Sequence, residues 1–213
     1  MTGRIDRLVR RLLSALIRRA WRVGPPDSPW ERVPMRVSTA AFGPGSRRDF
    51  AQYFEGESHV PVASIDDIVE WLACCQYVTD LDLFHEQDVW QHPAAFEQLR
   101  CGDCEDFALW AWRKLAEVGV EAEFYVGRVI VNDEPDVDRQ HAWVVYRVRG
   151  TDYLFEPAAR DIQRMIRPLS DVRGGYVPHF AVNHQFITSA FVGCVVDSYR
   201  HTERRRDPTQ TAP

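Results

Sequence analysis

Three residues placed in order along the chain have the types needed for acyl transfer: Cys104, His141 and Glu156. Cys104 lies in Gly102-Asp103-Cys104-Glu105-Asp106-Phe107-Ala108, at the first turn of a predicted helix. Free backbone N–H groups and the helix dipole there favour thiolate over thiol. His141 follows thirty-seven residues later, heading the strand-like run His141-Ala142-Trp143-Val144-Val145. Glu156 comes fifteen residues further on, at the end of the next predicted strand and just before Pro157. A nucleophile, a base that takes its proton and a carboxylate that fixes the base's tautomer are the parts of covalent acyl transfer. A short hairpin at Arg149-Gly150 would set the two strands antiparallel and bring His141 and Glu156 side by side. Taken singly, each residue has an ordinary structural explanation, and it is their order and spacing that carry the reading. Asp152, four residues before Glu156 and near the turn, is the rival acid and is expected to be solvated.

Other chemistry competes for the same residues. Cys101 and Cys104 are spaced as in a zinc or redox pair, but zinc would need Cys74, Cys75, His85 or His92 to complete four ligands. A thioredoxin-type pair needs a strand ahead of it, and the Pro- and Gln-rich stretch before Cys101 is not strand-like. Cys101 would otherwise pack beside the nucleophile or hold it as a resting disulfide under oxidation. His179 and His184 lie in an aromatic run, Tyr176 to Phe186, with no partner at catalytic spacing, so a structural role is expected. The acidic flank raises a separate question. Asp103, Glu105 and Asp106 surround Cys104, and like charge raises a thiol's pKa against the dipole. A hard dication bound by these oxygens would remove the conflict. Capping of the helix by the same carboxylates is the plainer alternative.

The elements that must position these residues follow from periodicity. Residues 4–22 read as a helix with Ile5, Leu8, Val9, Leu12, Leu13 and Leu16 on one side and Arg4, Arg7, Arg11, Arg18 and Arg22 on the other. Such a basic amphipathic helix suits its own domain, an anionic membrane surface or a partner protein. Residues 24–60, opening with Gly24-Pro25-Pro26, are expected as an extended arm or linker. Ser64 and Asp67 form a capping signal for a helix to about Tyr77, and residues 80–102 read as irregular, with Pro93 and Gly102 as breakers. A helix is expected from Cys104 to Val118, ending at Gly119. Strand patterns follow at Ala122 to Val131, Ala142 to Val148, Tyr153 to Phe155 and Phe186 to Val196, with an acidic loop from Asn132 to Gln140. Residues 201–213 read as a disordered tail, which leaves 61–200 as the catalytic domain and 1–23 as the basic helix.

Composition narrows the classes. With 45% hydrophobic and 27% charged residues among 213, the chain matches an ordinary globular protein and excludes disorder, collagen-like repeats and a multi-span membrane protein. The net charge of −5 is uneven: residues 1–22 hold seven Arg and one Asp, so the centre is strongly acidic. An acidic body with basic ends argues against a nucleic-acid partner. No run reaches the length of a membrane span, and the N-terminal apolar stretch lacks a signal-peptide cleavage site. Five cysteines, two of them adjacent, do not form a secreted disulfide framework. The expectation is a cytoplasmic protein, peripheral to a membrane if the basic helix binds one.

The segments Gln87-Asp88-Val89-Trp90-Gln91-His92-Pro93, Gly102 to Ala108, Leu115 to Val120, His141-Ala142-Trp143 and Tyr153-Leu154-Phe155-Glu156-Pro157 resemble the bacterial transglutaminase-like cysteine peptidases. The likeness spans roughly residues 64–160 and is most specific around Cys104. It implies a papain-like α+β fold, with the nucleophile at the N-terminus of a central helix packed on an antiparallel sheet. It also implies Cys104 as nucleophile, His141 as general base and acid, and Glu156 in a third position where the family usually carries Asp. In the resembled periplasmic peptidases, carboxylates flanking the nucleophile bind calcium, which implies Asp103 and Glu105 here. The acyl transfer itself requires no cofactor. The expected function is therefore a thiol-dependent peptidase acting on a protein or peptide. A transglutaminase or deamidase on the same triad and a non-catalytic binding module are the alternatives.

Overall fold

The computed structural model describes residues 28–33, 35–46, 48–130 and 140–194 of the chain. Its strands grow from the β-branched and aromatic runs of the sequence. In chain order they are β1 (Arg32–Val33), β2 (Gln76–Tyr77), β3 (Cys101–Gly102), β4 (Ala122–Val129), β5 (Gln140–Val148), β6 (Thr151–Phe155), β7 (Ile166–Pro168), β8 (Tyr176–Asn183) and β9 (Thr188–Phe191). Seven form one sheet in the order β1-β9-β8-β4-β5-β6-β7, with every neighbouring pair antiparallel. β2 and β3 pair separately, in parallel. The hairpin between β5 and β6 turns at Arg149-Gly150, both at positive φ (50° and 80°). That two-residue turn has the twist the flanking strands require, and glycine adopts its second position without a steric cost. The last predicted strand is shorter than expected, four residues rather than the run to Val196.

The helices depart from expectation where the chain serves non-local pairing. Helix α1 (Ile65–Ala73) starts as predicted: the Ser64 hydroxyl accepts from the Asp67 N–H while the Asp67 carboxylate accepts from the Ser64 N–H. It stops short of Tyr77 because Gln76 and Tyr77 leave the helix to pair with Cys101 and Gly102. The stretch expected to be irregular holds α2 (Asp80–Phe84) and α3 (Pro93–Leu99). Pro93 does not break a helix but opens one, at the position where its missing N–H goes unused and its fixed φ is suited. Helix α4 (Cys104–Glu117) ends ahead of Gly119 as predicted, and every residue from Glu105 to Leu115 is buried. A helix buried all round is a central one, and α4 lies against β4 and β5.

Alternation along β4 divides the interior in two. Phe124 and Val126 join the main core with Trp90, Phe107 and Trp112, whereas Tyr125 joins a smaller cluster on the other face with Trp143, Leu154, Tyr176 and Phe191. The part of the expected arm or linker described here is anchored rather than free. β1 adds to the sheet edge, and Phe42, Phe50 and Tyr53 sit in the main core. Consecutive cations of α4 hold the same segment: Arg113 donates to the carbonyls of Tyr53, Glu55 and Gly56, and Lys114 to Ser58 and the Val60 carbonyl. The helix expected over 1–23, most of the acidic loop and the tail 201–213 lie outside the described residues. Among the described residues no helix is long and apolar enough to cross a membrane.

Candidate active site

Cys104 is the first residue of α4, where its backbone N–H has no partner within the helix. The helix start is fixed from behind by Asp106. Its carboxylate accepts from the backbone N–H of Gln91 (2.7 Å), from the Gln91 side-chain amide and from the Asp103 N–H (3.3 Å). Gly102 makes this possible, since a Cβ there would run into the Asp106 carboxylate and the Gln91 amide. Cys104 lines a cleft of about 350 Å³ together with His141, Tyr77, Asp80, Trp90 and Glu105. Its thiol donates to Glu105 Oε2 at 3.2 Å. Burial, followed by the charges of Glu105 and Asp103, pushes the thiol well up, and a backbone hydrogen bond from Ala142 opposes the shift.

His141 is the second residue of β5, and its Nε2 lies 2.8 Å from Glu156 Oε2. The pairing is diagonal rather than directly across. Phe155 is opposite Val144, so Glu156, one step beyond β6, is level with Trp143. The Glu156 N–H donates to the Met165 carbonyl (2.7 Å), which fixes the backbone just past the strand end. The Tyr176 hydroxyl donates to the same Oε2 at 3.1 Å. Cys104 and His141 line the same cleft, and Glu156, just past β6, contacts His141. Asp152 is not part of this group: it makes a two-pronged ion pair with Arg147 (2.7 and 3.0 Å) on the surface.

The acidic flank is larger than its sequence neighbourhood. Asp103, Cys104 and Glu105 converge as one group and Asp80, Asp103 and Asp106 as another, each with ligand atoms within 4.8 Å of one another. Burial pushes Asp106 up to about 8, despite its hydrogen bonds from Gln91. It pushes Asp80 up to about 6, with the charges of Asp103 and Asp88 adding to the shift. Glu105 is raised further, by burial and by its contact with Asp103. Buried oxygens Asp80 Oδ1 and Asp103 Oδ1 have no hydrogen-bond partner, so the all-carboxylate group of Asp80, Asp103 and Asp106 fits a hard divalent cation of the calcium type. Asp80 was missed by sequence reasoning, because only the packing of α2 against the start of α4 reveals it.

The remaining candidates separate from the site. No ligand group among the described residues includes Cys101, and both ring nitrogens of His92 are engaged, with the Ala94 N–H and the Gln52 carbonyl. His184 stacks on Trp112 and bonds its carbonyl, and burial lowers its pKa. Neither His179 nor His184 lines the cleft.

The sequence model of the bacterial transglutaminase-like cysteine proteinases matches residues 57–168. No curated protein matches the chain. Among solved structures, LapG from Legionella pneumophila treated with EGTA aligns at 18% identity and a TM-score of 0.44, over 70% of this chain and 83% of its own. The calcium-bound form of the same protein aligns at 18% identity and a TM-score of 0.44, over 70% and 85%.

Proposed function

Because the chain belongs to the bacterial transglutaminase-like cysteine proteinases, we propose that Cys104, His141 and Glu156 are its catalytic triad and that it hydrolyses an amide bond of a protein or peptide. The observation that carries this reading is the 2.8 Å contact of His141 with Glu156 beside the cleft that Cys104 lines. With Nε2 donating to Glu156, Nδ1 is left as the basic nitrogen that takes the thiol proton. The thiolate attacks the carbonyl carbon, and the N–H of Cys104 at the helix start donates a hydrogen bond to the developing oxyanion. His141 then gives its proton to the leaving amine, and water deprotonated by the same ring releases the acyl group.

Asp80, Asp103 and Glu105, backed by Asp106, would hold calcium. Bound there, the ion supplies positive charge that offsets the pull of the acidic flank on the Cys104 thiol. The orphaned oxygens of Asp80 and Asp103 support this assignment.

The test is substrate profiling without prior choice of target. A protein digest incubated with the wild type and calcium should yield new peptide N-termini that Cys104→Ala does not produce. Ammonia release without new termini would move the reading to a glutamine deamidase or transglutaminase. Identical profiles for the wild type and Cys104→Ala would overturn it.

A further inference from the structure

Glu156 uses a single oxygen for two partners. Oε2 accepts from His141 at 2.8 Å and from the Tyr176 hydroxyl at 3.1 Å, while Oε1 is buried with no hydrogen-bond partner. A glutamate also has one more side-chain bond to immobilise than an aspartate would have, and its terminal torsion is a broad, two-fold one. A single bond to an imidazole at the edge of a cleft does not fix that torsion, and a second donor on the same oxygen does.

Tyr176 is built to be that donor. It opens β8 at 6% exposure, with its ring edge-on to Trp143 at 5.1 Å. Its carbonyl accepts from Trp30 Nε1 at 3.1 Å, and the same indole N–H reaches the Arg173 carbonyl at 2.9 Å, so backbone and ring are both held. Burial, with the charge of Glu156 next, raises the phenol far above its ordinary value, so it keeps its proton and donates at any working pH. Tyr176 does not line the cleft.

We infer that Tyr176 is a positioning residue of the triad, holding Glu156 in the rotamer that orients His141 and thereby making good the extra methylene of a glutamate in the acid position. The inference rests on the triad reading above. No atom is transferred to or from Tyr176; its proton stays on the hydroxyl throughout.

The test needs no substrate. The alkylation rate of Cys104 by iodoacetamide at neutral pH, mapped by peptide mass, reports how well His141 activates the thiol. Tyr176→Phe keeps the ring and its packing, so its melting temperature should stay close to wild type while the rate falls about fivefold. In 15N-histidine-labelled protein, the downfield Nε2–H resonance of His141 should shift or broaden in the same variant. In a Glu156→Asp background the shorter acid no longer needs the hydroxyl, and Tyr176→Phe should change the rate little. A wild-type rate and an unmoved resonance in Tyr176→Phe, with His141→Ala slow, would overturn this inference and leave the triad standing. A wild-type rate in His141→Ala would overturn the triad itself.

Discussion

Replacing Glu156 by Gln keeps length and volume but turns a pure acceptor into a group that supports the wrong imidazole tautomer. Acyl turnover should fall on the order of 10²- to 10⁴-fold with little change in melting temperature, by the reasoning that applies to the buried acid of serine-protease triads. Glu156→Asp should cost less. Asp152→Asn should be near wild type, since its partner Arg147 is exposed and surface ion pairs contribute little; a dead Asp152→Asn beside an active Glu156→Gln would reverse the assignment. The acidic cluster makes a second residue-scale prediction. Asp80 and Asp106, raised to about 6 and about 8 by burial, bind protons more tightly folded than unfolded. Stability in chelator is therefore greatest near pH 4 and is lost as pH rises through 6 to 8. Calcium should remove that loss in wild type and not in Asp80→Asn, and thermal melts across pH with EDTA or calcium decide it. Cys104, His141 and Glu156 were legible because each sits at a recognisable element end. Asp80 and Tyr176 were not, because nothing local in the sequence couples them to residues twenty or more positions away.

At the scale of elements, the start of α4 decides whether Cys104 is presented. A methyl group on Gly102 would displace the Asp106 carboxylate and Gln91 amide, which together fix the first turn. Gly102→Ala should destabilise the fold by about 1–3 kcal/mol, as over-packing does, and slow Cys104 alkylation along with it. Chemical denaturation beside the alkylation assay checks both; a wild-type rate would mean that the cap does not position the thiol. β4, β5, β6 and α4 were readable from alternation and helical period because each buries a face determined by its own residues. The span 74–102 was not. There the two-residue strands β2 and β3 depend on each other, too short for any periodicity, and a proline favoured in a first turn looks the same in sequence as one that breaks a helix.

At the scale of the whole molecule, the segment before residue 60 is clamped to α4, and Lys114 is central to the clamp. Its ammonium, fully buried, pairs with Glu97 at 3.2 Å and Glu117 at 2.9 Å and reaches the Ser58–Val60 backbone turn. Lys114→Met strands the Glu97 carboxylate and should cost about 3–5 kcal/mol. Adding Glu97→Gln should recover part of the loss in urea melts, and an undiminished deficit would mean that the cost is one of packing. The clamp was invisible in sequence, where 24–60 reads as linker because its Pro, Gly and Ser content hides three core aromatics, Phe42, Phe50 and Tyr53. All these contacts bear on how the proposed nucleophile Cys104 is presented. The most direct measurement is the reaction of the calcium-loaded protein with p-nitrophenyl acetate, followed by intact mass and peptide mapping. A burst of p-nitrophenolate with acetyl on Cys104, absent in Cys104→Ala and strongly reduced in His141→Ala, is the predicted result. Acetyl spread evenly over accessible residues, with no burst and no dependence on Cys104, would contradict the account.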